Sequence, residues 1–217
     1  MTQATQRTHA QAERAALSDL LDRLGPGEPT LCAGWTTADL AAHLVVRERR
    51  VDAAAGIAVK FLAPYTRSVQ DGLSARPYPE VVRMFREGPP RWTPYGLVPG
   101  LDALVNTVEF LVHHEDVRRA QPDWEPRALP ADLDDLIWRR LRAGARMFFR
   151  KSPVGVVLRR AGTDERVGAK MTDPAVVLTG EPQELLLFAF GRQDHARVAL
   201  DGDRDAVARL MKARLGM

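Results

Sequence analysis

The chain has 217 residues, of which 45% are hydrophobic, and its 31 Lys and Arg against 28 Asp and Glu give a formal net charge of +3. This composition predicts one or two compact domains and excludes disordered and fibrous proteins. The hydrophobic runs are shorter than the roughly 20 residues of a membrane span. The polar N-terminus also lacks the apolar segment of a secretory signal. We therefore expect a soluble, cytoplasmic protein that has no membrane partner.

The basic character of the chain does not indicate a nucleic-acid partner. Its pI is about 9.3, but the positive residues are interspersed with acidic ones, and neither a basic arm nor an aromatic ladder is present. The single cysteine, Cys32, excludes an internal disulfide and a multi-cysteine metal site within one chain. Any metal ligands are therefore expected to be His, Asp or Glu. The sequence does not indicate an oligomeric state.

Two helices are predicted at the start of the chain. Apolar residues at helical spacing predict the first over residues 8–24, ended by Gly25. The second is expected to begin near Thr36, whose hydroxyl caps the helix, with Asp39 three residues later at the positive helix end. Its apolar face is predicted to run on toward Leu62.

The middle of the chain is less regular. Residues 63–99 are rich in Pro and Gly, with one short helix predicted over 80–86, and such a long irregular segment is typical of a functional rim. Apolar stripes then predict a helix that starts after Gly100 and ends before Pro122, and another over 131–150.

The sequence changes in character after Pro153. Short strands are predicted in VGVVLRR, ERVGAKM, AVVLTG and HARVALDG, and helices in EPQELLLFAFGR and DAVARLMKARL. The predicted fold class is therefore α+β, with a helical bundle over residues 1–150 and a small α/β domain over 151–217.

One helix carries a pair of residues that are able to bind a metal. At about 100° per residue, the side chains of Glu109 and His113 lie about 40° apart on one face, so that both reach one ion. His114 lies about 140° from Glu109 and is expected to be a surface group or a group outside the ligand set. His43 stands in an apolar stretch, AAHLVV, and needs a polar partner. The residues alone leave a metal site and an ordinary buried hydrogen bond equally open.

Two segments carry a family resemblance. LCAGWTTADLAAH at 31–43 and EFLVHHED at 109–116 together resemble the signature motifs of the mycothiol-dependent maleylpyruvate isomerase superfamily, whose N-terminal domain is a DinB-like up-down bundle. The resemblance covers most of residues 8–150. EFLVHHEDVRRAQPDWEPR is also similar to an uncharacterised actinobacterial branch of that superfamily. The C-terminal TGEPQELLLFAFGR is similar to the small domain that follows the bundle in the isomerase.

The resemblance implies a site and an activity. His43, Glu109 and His113 would bind a divalent metal, for which the resemblance favours zinc, although nitrogen and oxygen ligands alone do not choose the ion. The implied function is a thiol-dependent isomerase or transferase that uses mycothiol as cosubstrate and acts on a small electrophile. We nominate Arg47 and Arg192 as cations for an acidic substrate. The alternative is a non-catalytic metal- or small-ligand-binding module of the same fold.

Two further residues of these motifs, Asp116 and Cys32, lie outside the implied ligand set. Asp116, one turn beyond His113, either orients a ligand imidazole or pairs with Arg118 or Arg119 on the helix surface. Cys32 has no histidine near it in sequence to act as a base. We therefore expect Cys32 to pack beside Trp35.

Overall fold

The computed structural model describes residues 7–50, 52–53, 63–98 and 100–216. Its helices are α1 His9–Leu24, α2 Thr37–Arg49, α3 Ala63–Ser74, α4 Tyr78–Glu87, α5 Pro94–Leu97, α6 Leu101–Arg118, α7 Ala131–Phe148, α8 Pro182–Ala189 and α9 Arg204–Met211. Its strands are β1 Gly155–Arg160, β2 Arg166–Lys170, β3 Ala175–Gly180 and β4 Ala199–Gly202. These elements confirm the predicted α+β class. In these ranges no helix has the length and apolarity needed to cross a membrane.

The first helix forms in its predicted range, and the second begins at its predicted capping residue, Thr36. The Thr36 hydroxyl accepts a hydrogen bond from the Asp39 backbone, while the Asp39 carboxylate accepts one from the Thr36 backbone at 2.9 Å. This reciprocal pair satisfies N–H groups that a helix start leaves without partners. The predicted extension of α2 toward Leu62 falls on residues 51 and 54–62, which lie outside the described ranges.

The prediction that residues 63–79 are irregular was wrong. They contain α3 and the start of α4, in which Pro79 occupies the first turn, where a missing N–H costs little. Helix α3 packs against α2, with Thr66 and Leu73 buried. The hydroxyl of Tyr78 also donates a hydrogen bond to the carbonyl of Leu21 in α1. Packing against neighbouring helices therefore outweighs the weak helix propensity of this segment.

The first compact unit, Met1–Trp124, is helical in its described part. Helix α1 packs along α6 and against α4, and α2 packs on α3 and α4. Phe85 of α4 and Phe110 of α6 meet edge to face in the core, with ring centroids 5.2 Å apart. The core fixes the two helices, α2 and α6, that carry the nominated metal ligands.

The second compact unit, Glu125–Met217, contains the sheet. The strand order is β2-β1-β3-β4, in which β1 and β3 are parallel and the outer pairs are antiparallel. Helix α7 packs on β2 and α8 and therefore belongs to this unit, whereas the sequence analysis assigned it to the bundle. The apolar stripe of α7 predicted a buried face but did not identify what covers that face.

Candidate metal centre

Helices α2 and α6 bring the three nominated ligands together. His113 Nε2 lies 3.1 Å from Glu109 Oε1, and His43 Nε2 lies 3.9 Å from the same oxygen. One ligand atom from each residue lies within 4.8 Å of the others. The two histidines are only 7% and 8% exposed. The arrangement gives two nitrogens and one oxygen that face one small region.

His43 is surrounded by aromatic rings. Its ring centroid lies 5.0 Å from that of Trp35 and 5.3 Å from that of His113. Burial lowers the pKa of His43, and this effect exceeds the opposite effect of its hydrogen bond with Glu109. His43 is therefore a neutral imidazole at neutral pH, which is the form that binds a metal.

Glu109 is held as an anion. Burial alone would raise its pKa, but hydrogen bonds with His113 and His43 and the nearby Arg47 guanidinium hold the pKa well below its ordinary value. Arg47 Nη1 lies 3.0 Å from Glu109 Oε1, and Arg47 also donates to Asn106 Oδ1 at 3.3 Å. The structure thus places Arg47 beside Glu109, one of the three nominated ligands.

The second ring nitrogen of His113 faces Asp116. Nδ1 lies 3.0 Å from Asp116 Oδ2, and Asp116 is fully buried. Burial would lower the pKa of His113, but its hydrogen bonds with Asp116, Cys32 and Glu109 raise it well above its ordinary value. Both ring nitrogens are therefore protonated at neutral pH: Nε2 donates to Glu109, and Nδ1 donates to Asp116. This contact favours the orienting role for Asp116.

The arginines that follow Asp116 pair with another residue. Arg118 Nη1 lies 2.8 Å and Arg119 Nε 2.6 Å from the Glu115 carboxylate. Arg119 also lies over the ring of Trp124, 4.6 Å from its centroid. This cluster lies beside the candidate ligands on α6 and contributes none of them.

Cys32 takes part in the site in a way that sequence analysis missed. Its Sγ lies 3.3 Å from Asp116 Oδ2 and 4.0 Å from His113 Nδ1. The Leu31 N–H donates to the Asp116 carbonyl at 3.0 Å, which anchors this loop on α6. Cys32, His113 and Asp116 therefore form a second group of possible metal ligands that shares His113. The one signal in the sequence was that Cys32 and His43 belong to the same motif.

Two other predicted residues lie elsewhere. His114 is 6% exposed, and its Nδ1 lies 3.0 Å from Glu13 Oε2 of α1, so the surface alternative was wrong, and His114 is a buried group outside the nominated ligands. The reason is that α1 covers the face of α6 on which His114 stands. Arg192 belongs to the second unit, where it donates to the Phe190 carbonyl at 2.5 Å. The proposed role of Arg192 stays a prediction.

Comparison with known proteins identifies the fold. No family model and no curated protein sequence matches this chain. The structure is similar to the crystal structure of the mycothiol-dependent maleylpyruvate isomerase, with a TM-score of 0.54 and 16% identity over 89% of this chain and 90% of that chain. A histidine-to-alanine mutant of that isomerase gives a TM-score of 0.56 at the same identity and coverage. The chain has the fold of this isomerase.

Proposed function

We propose that this protein binds one divalent metal ion, preferably zinc, through His43, Glu109 and His113. The observation that carries the proposal is the convergence of these three side chains from two helices, with ligand atoms within 4.8 Å of one another. Once a metal displaces the Nε2 proton of His113, two imidazoles and a carboxylate form a donor set found in catalytic zinc sites, which keep one position open. A zinc ion in such a site favours the thiolate form of a coordinated thiol.

The proposed activity is that of a thiol-dependent isomerase or transferase, with mycothiol as cosubstrate and a small electrophile as substrate. The structural similarity to a mycothiol-dependent isomerase supports this choice of thiol. In this chain, Asp116 would hold the Nδ1 proton of His113 and so keep Nε2 available as a ligand. Arg47, 3.0 Å from Glu109, would supply a positive charge for an acidic electrophile. Arg192 is proposed as a second cation.

A non-catalytic module of the same fold is the second candidate. Glu109 Oε1 already lies within hydrogen-bond distance of both His113 and Arg47, so its charge is compensated by the protein itself. A buried polar network of this kind satisfies its members without an ion. Metal content and thiol-dependent turnover separate the two candidates.

The first experiment is metal analysis of the full chain, purified without a polyhistidine tag, by plasma mass spectrometry. We expect about one equivalent of zinc per chain, lost in His43→Ala and in Glu109→Ala while both variants stay folded by circular dichroism. His114→Gln is the matched control, because it replaces a buried imidazole beside a carboxylate outside the ligand set. No metal in the wild type, even after reconstitution, would overturn the proposal.

A cysteine variant distinguishes the two ligand groups that share His113. Serine at position 32 keeps a hydrogen-bond donor for Asp116 but is a poor zinc ligand. Cys32→Ser is therefore expected to retain the metal. Metal that is lost in Cys32→Ser but kept in His43→Ala would instead place the ion between Cys32, His113 and Asp116.

Turnover then distinguishes the enzyme from the module. Zinc-loaded protein is incubated with mycothiol and a panel of small unsaturated acids, and consumption of each acid is followed by NMR. We expect turnover that needs both the thiol and the metal, and that is absent in Glu109→Ala. Metal binding without any thiol-dependent turnover would favour the non-catalytic candidate.

A further inference from the structure

The exposed face of α7, in the second unit, is basic. Beyond its acidic first turn, the helix carries Arg139, Arg142 and Arg146, and all three are exposed. Steps of three and four residues place these side chains within about 60° of one another around the helix axis. Arg150 and Lys151 are also exposed and continue the series just past the helix end. We call these five cations the basic patch.

The protein neutralises little of the charge of the basic patch. Four of its five side chains form no hydrogen bond or ion pair with the described residues. The fifth, Arg142, lies 3.8 Å from Glu165, and both side chains are about half exposed, so this pair contributes little. Asp135, one turn before Arg139, is already paired with Arg160 at 2.7 Å. The patch therefore keeps most of its positive charge.

The helix dipole explains only part of this arrangement. Cations are stabilising near the C-terminal end of a helix, but the effect is confined to about the last turn. Arg146 stands in that turn, whereas Arg139 and Arg142 stand further back. Like charges three and four residues apart also destabilise a helix slightly. The row of arginines therefore does not serve the stability of α7, and it indicates a partner that carries negative charge.

Two exposed methionines border the basic patch. Met147 follows Arg146 and is 49% exposed, and Met171 is 78% exposed. Met171 directly follows Lys170, whose Nζ donates to the Arg150 carbonyl at 3.3 Å, so the end of β2 lies beside the patch. These two are the large apolar side chains that the described part of the second unit exposes. The surface thus combines cations with flexible apolar groups.

We propose that this surface binds membranes that contain anionic phospholipids. Guanidinium groups form paired hydrogen bonds with phosphate, and cations close to an anionic membrane are attracted to it. The two thioether side chains enter the apolar layer beneath the headgroups. The backbone of a nucleic-acid duplex would attract the same cations but offers no such layer for Met147 and Met171. The observations therefore favour a lipid surface over a nucleic acid.

A surface contact of this kind needs no helix that crosses the membrane. The expectation of no membrane partner rested on short hydrophobic runs and on charges that alternate in sign along the chain. In the structure, one helix face collects cations that are separated in the sequence. The proposed metal ligands all belong to the first unit, so membrane binding is independent of the proposed metal site.

The test is co-sedimentation of the full chain with vesicles of phosphatidylcholine alone, or of phosphatidylcholine and phosphatidylglycerol at three to one. We expect binding to the anionic vesicles only, at about 0.1 M salt, and its loss at about 1 M salt, which screens the charges. The double variant Arg139→Gln/Arg146→Gln should lower the partition coefficient about 30-fold, or about 5-fold for each cation removed. Met147→Gln/Met171→Gln should lower it as well.

Arg23→Gln/Arg67→Gln is the matched control, because it removes two exposed cations of the first unit and changes the net charge equally. It should bind the anionic vesicles as the wild type does. Equal losses in the two arginine variants would mean that net charge alone governs binding, which overturns the proposal. Unchanged binding by the methionine variant overturns it too, as does tighter binding to a DNA duplex than to anionic vesicles at equal phosphate concentration.

Discussion

Two adjacent histidines of α6 show what distinguishes the candidate site from ordinary buried polarity. His113 and His114 are both buried, and each has a carboxylate oxygen 3.0 Å from its Nδ1, from Asp116 and from Glu13 respectively. Only the Nε2 of His113 lies next to further potential ligands. A histidine with a carboxylate partner is therefore not by itself a metal site. The further potential ligands next to Nε2 are what distinguish His113 from His114.

This pair of histidines supplies a matched test of the role of Asp116. Asp116→Asn should lower zinc affinity by about 10–100-fold, because an asparagine no longer fixes the Nδ1 proton of His113. Glu13→Gln makes the same chemical change beside His114 and should leave zinc affinity unchanged. Competition with a chromophoric chelator measures both affinities. Equal effects of the two substitutions would mean that Asp116 acts on stability alone.

The proposed contact of Arg47 with the substrate can be tested in a turnover assay that uses an acidic electrophile. Arg47→Gln should lower kcat/KM by about 10–100-fold, the usual value of a hydrogen bond to a charged group. The zinc content should stay the same, because Arg47 is not a ligand. Arg49, on the same helix, pairs with Glu87 of α4 at 3.1 Å, so Arg49→Gln is the control and should keep full activity. A similar loss in both variants would count against a substrate contact.

The sequence predicted the candidate ligands but not their surroundings. Helical periodicity placed Glu109 and His113 on one face, and the motif added His43. The contacts of Asp116 with Cys32 join residues 84 positions apart, and those of Asn106 with Glu48 join residues 58 positions apart. Local spacing carries no information on such pairs, because they depend on how α6 lies against its neighbours.

Among the structural elements, three helices are joined by a buried charged network. Arg14 of α1 forms ion pairs with Glu48 of α2 and, at 2.8 Å, with Asp102 of α6. Asn106 of α6 donates to both carboxylates, at 3.3 and 2.8 Å respectively. Its amide group is thereby oriented so that its oxygen faces Arg47 at 3.3 Å. The network holds the helices that carry the candidate ligands.

Glu48 should make stability depend on pH. Burial raises its pKa to about 7, which exceeds the opposing attraction of Arg14. An unfolded glutamate has a pKa of about 4.3, so the folded state holds a proton that the unfolded state has released. The corresponding stability is fully present below about pH 4.3 and is lost as the pH rises through 7, by up to about 4 kcal/mol.

The neutral variant Glu48→Gln isolates this effect. Urea denaturation of wild type and variant at pH 5.5 and pH 8 gives the free energy of unfolding of each. We expect the wild type to lose more stability than the variant between these values, because the variant has no proton to release at position 48. An identical change in both proteins would mean that Glu48 is ionised throughout, with its charge balanced by Arg14.

The helix that sequence analysis missed also has a physical explanation. Proline and glycine content in 63–79 indicated a loop, because the prediction weighed composition above packing. In the structure, Thr66 and Leu73 of α3 are buried, and α3 contacts α2 and α4. Long-range packing of this kind stabilises short helices whose own propensity is low.

At the scale of the whole molecule, the sequence and the structure differ on where one folding unit ends and the next begins. The likeness to the isomerase covers 89% of this chain and therefore includes parts of both units. The sequence suggested a boundary near residue 150, where strands replace helices. The contacts within the chain place it after Trp124 instead. Periodicity distinguishes helices from strands, but it does not show which core buries an amphipathic helix.

Helix α7 decides between these boundaries. Its apolar face is buried through Leu133, Ile137, Leu141 and Ala145, and its described contacts include β2 and α8. Without α7, the side of the second unit that packs against it would be open to water. At about 25 cal/mol per Å² of apolar surface, uncovering about 200–400 Å² would cost about 5–10 kcal/mol, which is comparable with the whole stability of a small domain.

Two fragments test this prediction directly. We expect residues 125–217 to fold, with a cooperative urea transition followed by far-UV circular dichroism, and residues 151–217 to show no such transition. Adding residues 125–150 as a separate peptide to the shorter fragment should restore part of the signal, since the missing helix carries the missing contacts. A cooperative transition in residues 151–217 alone would show that the sheet and its C-terminal helices suffice, and that α7 belongs with the bundle as the sequence suggested.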